Sequence, residues 1–463
     1  MEKFLEKMQE KLMPIATKIA NQKFLIALRN SFIGTMPVVM AGSVAILINA
    51  FLVDFPDQFG WTVITDMFQW LININNLVAT GSISIVSLLF IYSLGVNIAK
   101  IYDTDRLSSG IVSLSAFVIV IGNEATKTFE LNQIDGLNLE QSFEGISEFV
   151  LTGNELTISL GGVLSGENLG TRGYFTAIII GFLAAIIYSK IMNLNWTIKL
   201  PDTVPPAIAK PFLSIIPGLI SLYIVATLAY IIETVSGELF IDLVYKVLQT
   251  PLLGMSQNFF AVIAMAFLIQ LFWFFGLHGG NVMAPIMEGV FGVALLANLS
   301  AYNNGESIPY IWTSVSFGSL VWYHTLGLLI VIFWTSTNEH YREVAKLGIV
   351  PVLFNIGEPV NYGLPTVLNP ILFIPTLLAP VLMAASGYVA TYLGWVSPVT
   401  QNVTWVMPPI LYGFFSTAFD WRAIILSIFN LLIAIVVYYP FVKMADKKAE
   451  MEAKELAEEN KGE

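Results

Sequence analysis

The chain has 463 residues, of which 56% are hydrophobic and only 12% charged, with a mean hydropathy of +0.73 and a formal net charge of -11. An ordinary soluble chain is roughly a quarter charged, so a water-soluble fold built from this composition would lack the charge to cover its surface. The absence of cysteine excludes disulfides, thiolate metal sites and a cysteine nucleophile, and the acidic balance points away from nucleic acid as a partner. A helix needs about 20 mostly apolar residues to cross ~30 Å of hydrocarbon, so this length supplies roughly ten crossings. The predicted class is an all-α polytopic membrane protein.

Residues 1–30 carry Lys3, Lys7, Lys11, Lys18, Lys23 and Arg29 at intervals and so have no continuous apolar core of a cleavable signal. Phe4, Leu5, Met8, Leu12, Ile15 and Ile19 recur at helical spacing, which predicts an amphipathic helix along the cytoplasmic membrane surface. Apolar segments follow at 31–53, 83–99, 107–122, 174–188, 212–232, 259–275, 282–297, 322–334, 371–393, 410–419 and 423–442. Several are short for a simple crossing and interrupted by Gly and Pro. Such segments read as re-entrant hairpins or tilted helices, tolerated at membrane depth only where protein or a wet cavity satisfies their backbone, and so they point towards a substrate site. Between the fourth and fifth lies a Pro-rich, amphiphilic stretch, 195–211, expected to link an N-terminal membrane half at 31–194 to a C-terminal region at 212–442. The charged tail 443–463 completes the chain.

Basic residues in short loops favour the cytoplasm. With both termini inside, Lys100, Arg106, Lys190, Lys199 and Lys210 fall inside, whereas the acidic stretch 123–170, with Lys127 as its sole basic residue, falls outside. Alternation of Leu156, Ile158 and Leu160 predicts a short strand there.

A charge at bilayer depth costs at least ~2.5 kcal/mol and usually persists for a function. Two residues fit that description. His278, in FWFFGLHGGN, lies beside two glycines that let backbone approach a ligand; the plain alternative is a histidine capping a helix end. Glu358, in FNIGEPVNYGLPTVLNP, is flanked by Gly357 and Pro359 and followed by Asn361, Gly363 and Pro365. That pattern is incompatible with a regular lipid-facing helix and reads as a hairpin tip carrying a carboxylate and an amide suited to sugar hydroxyls; the plain alternative is an interfacial turn. Trp273 and Trp405 offer aromatic faces to a sugar, although tryptophan is also enriched at membrane interfaces, and Asn97 suits either a ligand or another helix. His324 reads as interfacial and His340 as part of a solvated charged loop. Neither metal-ligand spacing nor a phosphate-cradling loop is present in the sequence.

GLHGGN together with NIGEPVNYGLP, across a long apolar interval, resembles the IIC components of the sugar phosphotransferase system, in the lactose/cellobiose/diacetylchitobiose family. The resemblance implies about ten transmembrane helices, two re-entrant hairpins and amphipathic linkers, assembled as a homodimer through the N-terminal half and the helix at 212–232. It implies a β-linked disaccharide held by His278 and Glu358, with Glu358 also assisting the acceptor hydroxyl and Trp273, Trp405 and Asn97 as further contacts. The phosphoryl group would arrive on a cysteine of a soluble IIB protein, itself charged by IIA, with no cofactor or metal. The stretch 123–170 is longer than that family leads one to expect. An ion-coupled secondary sugar transporter, with Glu358 taking up a coupling proton, is the alternative reading.

Overall fold

A computed structural model describes residues 14, 18, 21–54, 56, 61–130, 146–152, 155–198, 200–201, 205–364, 369 and 371–462. Most of the expected amphipathic segment at 1–30 lies outside these residues, as do Lys199 and Pro365; residues 23–30 begin the first long helix. Among the described residues eight helices are long and apolar enough to cross a membrane, and a further pair, Phe240–Ser256 and Phe259–Phe274, bends by 73° and counts as a ninth if it forms one broken span. The chain divides into two compact units, one of Ala27–Val38 and Thr80–Pro251, the other of Met1–Ile26, Val39–Ala79 and Leu252–Glu463.

The first of these units takes part of the helix Lys23–Asn49 (α1) and adds Val86–Tyr102 (α2), Arg106–Val120 (α3), Tyr174–Asn193 (α4) and Pro206–Ser236 (α5). Small residues let α2 and α3 approach closely: a Cβ on Gly95 would lie 2.8 Å from the Ser109 carbonyl, and the Ser109 hydroxyl donates to the Gly95 carbonyl at 2.9 Å. The helix α5 starts inside the stretch expected as a linker, because Pro206 occupies a first-turn position where its missing N–H costs nothing. Between α3 and α4 stand three antiparallel strands, Glu124–Glu130 (β1), Ile146–Thr152 (β2) and Glu155–Gly161 (β3), in the order β1-β3-β2. The central strand is the one that the alternation at 156–160 predicted.

The larger unit contains Phe259–Phe274 (α6), Gly279–Ile286 (α7), Val293–Asn303 (α8), Ser314–Leu320 (α9), His324–Thr335 (α10), Glu339–Val352 (α11), Glu358–Gly363 (α12), Phe373–Tyr392 (α13), Pro409–Ser416 (α14) and Arg422–Gly462 (α15). Its core gathers Trp312, Phe317, Tyr323 and Tyr438, all at most 1% exposed. Three histidine expectations meet different fates here. His278 is treated below; His324 is buried within the protein at 6% exposed, its Nδ1 3.0 Å from the Tyr438 hydroxyl; His340 is exposed on the second position of α11 rather than in a loop.

One buried amide staples three helices of this unit. Asn430 on α15 donates to the Leu320 carbonyl of α9 at 2.9 Å and the Met383 carbonyl of α13 at 3.3 Å, and accepts from the Ser386 hydroxyl. Asn430→Ala removes the amide from the Leu320 carbonyl and from the Ser386 hydroxyl, and we expect it to cost about 1–2 kcal/mol. A melt of the purified protein in detergent checks this; an unchanged midpoint would mean that the staple contributes nothing.

Candidate functional site

The two polar residues singled out in the sequence sit at breaks between helices of the larger unit. At the end of α6 the chain reverses through Gly276 at φ +78°, with the Leu277 N–H returning to the Phe272 carbonyl at 3.0 Å. His278 then becomes the N-cap of α7, its Nδ1 accepting the Asn281 backbone N–H at 3.1 Å. Gly279 is required at the next position, since a Cβ there would fall 1.9 Å from the Ile269 carbonyl oxygen. The capping alternative for His278 is therefore realised, and it does not exhaust the side chain. With Nδ1 accepting, the neutral ring carries its proton on Nε2, and Nε2 lies 3.7 Å from Glu358 Oε1.

Glu358 arrives from the other break. The short helix α12 opens with Glu358 and Pro359, a placement that proline tolerates because first-turn N–H groups have no intrahelical partner. Val360, fully buried, presses α12 onto α11 at Gly348, where a Cβ would come within 2.4 Å of it, and Gly363 meets Val344 of α11 in the same way. The side chains of His278 and Glu358 are left 46% and 44% exposed. Asn361 lies one turn from Glu358, partly buried, with its Nδ2 beside Gly357.

Aromatic rings frame the pair. The Trp273 ring lies 4.4 Å from that of His278 and 6.4 Å from that of Tyr362. Tyr362 was not anticipated, although its spacing four residues after Glu358 puts it on the same helical face. Trp405 belongs to the same unit, its indole 56% exposed on the turn at 404–407. Asn97 belongs to the other unit, where its Nδ2 donates to the Ser93 carbonyl at 2.9 Å and the Ser31 hydroxyl at 3.2 Å. A further carboxylate went unnoticed in the sequence: Glu288, alone in an apolar run, occupies a π-helical turn, Met287–Gly292, inside the candidate span Gly279–Asn303. Among the described residues no three His, Asp or Glu side chains converge to hold a metal ion.

The gap between Nε2 and Oε1 exceeds a direct hydrogen bond. A hydroxyl oxygen at about 2.8 Å from both closes a triangle with an apex of roughly 80°, accepting from the imidazole while donating to the carboxylate. A donor–acceptor pair beside aromatic faces, on broken helices of a many-span protein, suits a transporter of polyhydroxyl cargo. Comparison with known proteins narrows this. The family model "Phosphotransferase system, EIIC" matches residues 29–380. The cellobiose-specific EIIC component of Lactococcus lactis subsp. lactis (strain IL1403) is 37% identical over 96% of this chain and 98% of its own length. The lichenan permease IIC component of Bacillus subtilis (strain 168) is 29% identical, with coverages of 98% and 96%. Among solved structures, the transporter ChbC, the IIC component from the N,N'-diacetylchitobiose-specific phosphotransferase system, matches with a TM-score of 0.84 and 27% identity over 97% of this chain and 99% of its own. The chain belongs to the phosphotransferase-system EIIC family. It is thus a multi-pass membrane permease for a sugar, working with a IIB phosphocarrier.

His278 offers a clean separation of cap from ligand. Asn also caps well, so His278→Asn should melt like the wild type in detergent, whereas His278→Ala should lose about 1 kcal/mol. Equal melts for the two variants would show that the cap is immaterial.

Proposed function

We propose that this permease takes up a β-linked disaccharide of the cellobiose or diacetylchitobiose class and presents it for phosphorylation by a IIB partner carrying phosphocysteine. The observation that carries the reading is the Nε2–Oε1 pair at 3.7 Å on two helix breaks of an EIIC chain; the cellobiose-specific and diacetylchitobiose-specific relatives support the sugar class. His278 donates from Nε2 to the acceptor hydroxyl, Glu358 accepts its proton, Asn361 serves neighbouring hydroxyls, and Trp273 and Trp405 cover the ring faces. As the sugar oxygen bonds to phosphorus, the phosphorus–sulfur bond breaks and the thiolate leaves on IIB; the proton passes to Glu358. Positioning and charge placement suffice for such a transfer. This chain has no cysteine, so the carrier thiol belongs to the partner, which IIA recharges. The sugar phosphate, being charged, is then trapped inside.

In this reading the chain forms a homodimer in the bacterial cytoplasmic membrane through its N-terminal half, 31–194 with the helix at 212–232, while the C-terminal region carries the sugar. Both termini are cytoplasmic. The experiment is uptake of labelled disaccharide into vesicles holding the chain, with phosphorylated IIB supplied inside. Phosphorylated product is expected only with IIB and despite an ionophore, and Glu358→Gln is expected to lower turnover about 100-fold or more, the scale of a lost general base. Unmodified disaccharide accumulating without IIB, and abolished by the ionophore, would instead establish the ion-coupled transporter.

Orientation is tested separately in this cysteine-free chain. Single cysteines replacing Glu124, exposed at the start of β1, and Glu343, 64% exposed on α11, should differ towards an impermeant thiol reagent. Glu124→Cys should label in intact cells and Glu343→Cys only after permeabilisation; the reverse pattern overturns the assignment.

A further inference from the structure

The segment that delivers Glu358 begins where α11 ends. There the Ile356 N–H reaches back to the Pro351 carbonyl and the Asn355 N–H to the Val352 carbonyl, both at 3.0 Å, the paired bonds that close a helix through one left-handed residue. That residue is Asn355, at φ +60°. Glycine is the residue that adopts this conformation at least cost, so an asparagine here calls for a use of its side chain. The use is visible: Asn355 Nδ2 donates to the Trp405 carbonyl at 2.9 Å and to the Met407 carbonyl at 2.8 Å. Both amide protons are therefore spent on one turn, which the Met407 N–H closes onto the Thr404 carbonyl at 3.1 Å and which leads through Pro408 into α14. The amide oxygen, although buried, has no hydrogen-bond partner among the described residues. Asn355 is thus held as a donor rather than as an acceptor.

We propose that Asn355 is a positioning residue of the sugar site, locking the Trp405 turn to the segment that carries Glu358 so that the ring-covering indole and the proton-accepting carboxylate share one frame. The inference rests on the sugar-phosphotransfer reading given above. Its mechanism is independent of direct ligand contact: Asn355 precedes Glu358 by three residues, and its two bonds cross to a turn fifty positions further along the chain. Val360 seats the Glu358 helix on α11, and Val403 and Met407 pack the turn against Val315 and Tyr412, whereas the two Asn355 bonds tie the loops directly to each other. Misplacement by about 1 Å at a reacting centre is enough to cost about 100-fold in rate.

Two substitutions separate donation from backbone shape. Asn355→Gly keeps the left-handed residue and deletes the donors; Asn355→Asp also tolerates that conformation but turns a carboxylate towards two carbonyl oxygens. We expect Asn355→Gly to retain the wild-type melting temperature while lowering IIB-dependent turnover at saturating disaccharide about tenfold, and Asn355→Asp to lower it about 100-fold. A distance readout accompanies the kinetics: spin labels on cysteines replacing Phe354 and Val406, both exposed, should give a narrow distance distribution in the otherwise unaltered chain and a broad one with Asn355→Gly. Wild-type turnover with an unbroadened distribution in both variants overturns the proposal. So does a lowered melt in which the surviving protein turns over normally, since Asn355 would then serve folding alone. If the unaltered chain phosphorylates no β-linked disaccharide, the functional reading fails, and the spin-label distances still decide whether Asn355 ties the two loops.

Discussion

A main-chain amide in hydrocarbon has no water to bond, so every break in a membrane helix must be repaired by the protein or by a wet cavity that it encloses. The site exists because two such breaks are repaired. After α6, the Leu277 N–H returns to Phe272 and the His278 imidazole takes up an N–H of the next helix. After α11, the Ile356 and Asn355 N–H groups return to Pro351 and Val352. Each repair leaves a half-exposed polar side chain at the break: His278 on one, and on the other Glu358, the proposed proton acceptor.

The same constraint bears on the ligand role proposed for the two residues. A histidine whose Nδ1 is occupied by a backbone N–H has its Nε2 proton directed outwards, and Glu358 stands on the first turn of a short helix whose backbone the fully buried Val360 holds against α11. Their separation of 3.7 Å leaves the pair just short of satisfying each other. An unspent donor facing an unspent acceptor is pre-organised for a hydroxyl, whose geometry supplies both missing partners. Phosphoryl transfer asks for little more than this from the permease, since the leaving group and the phosphorus arrive on another protein.

Glycine and asparagine divide the steric work between them. Gly279 permits a backbone approach that any Cβ would block, and Gly348 and Gly363 allow α12 to lie directly on α11. Asn355 adopts the left-handed conformation that glycine would take and adds two hydrogen bonds to the Trp405 turn. Elsewhere in the unit Asn430 plays a comparable part between three packed helices. Buried amides in this protein connect elements that hydrophobic contact would hold together without fixing their register.

The membrane-spanning class, the approximate positions of most apolar segments, a short strand around 156–160, and the prominence of His278 and Glu358 are legible in the sequence alone. These are local properties: a hydropathic run, an alternation, or a polar residue among glycines and prolines carries its signal within a few positions. Glu288 carried the same signal, a lone carboxylate in an apolar run, and was passed over because neither Gly-Gly nor a Gly-Pro pair marked it as a break. Only the tertiary structure decided the rest. The pairing of Nε2 with Oε1, the approach of Tyr362 to Trp273, the burial of His324 against Tyr438, and the reach of Asn355 to the Trp405 turn all join residues far apart in the chain. Such contacts are set by which helix packs on which, and in a chain that is apolar nearly throughout, many pairings satisfy the hydropathic pattern equally well. What selects one is the fit of small residues against backbone and the few polar groups that must find partners.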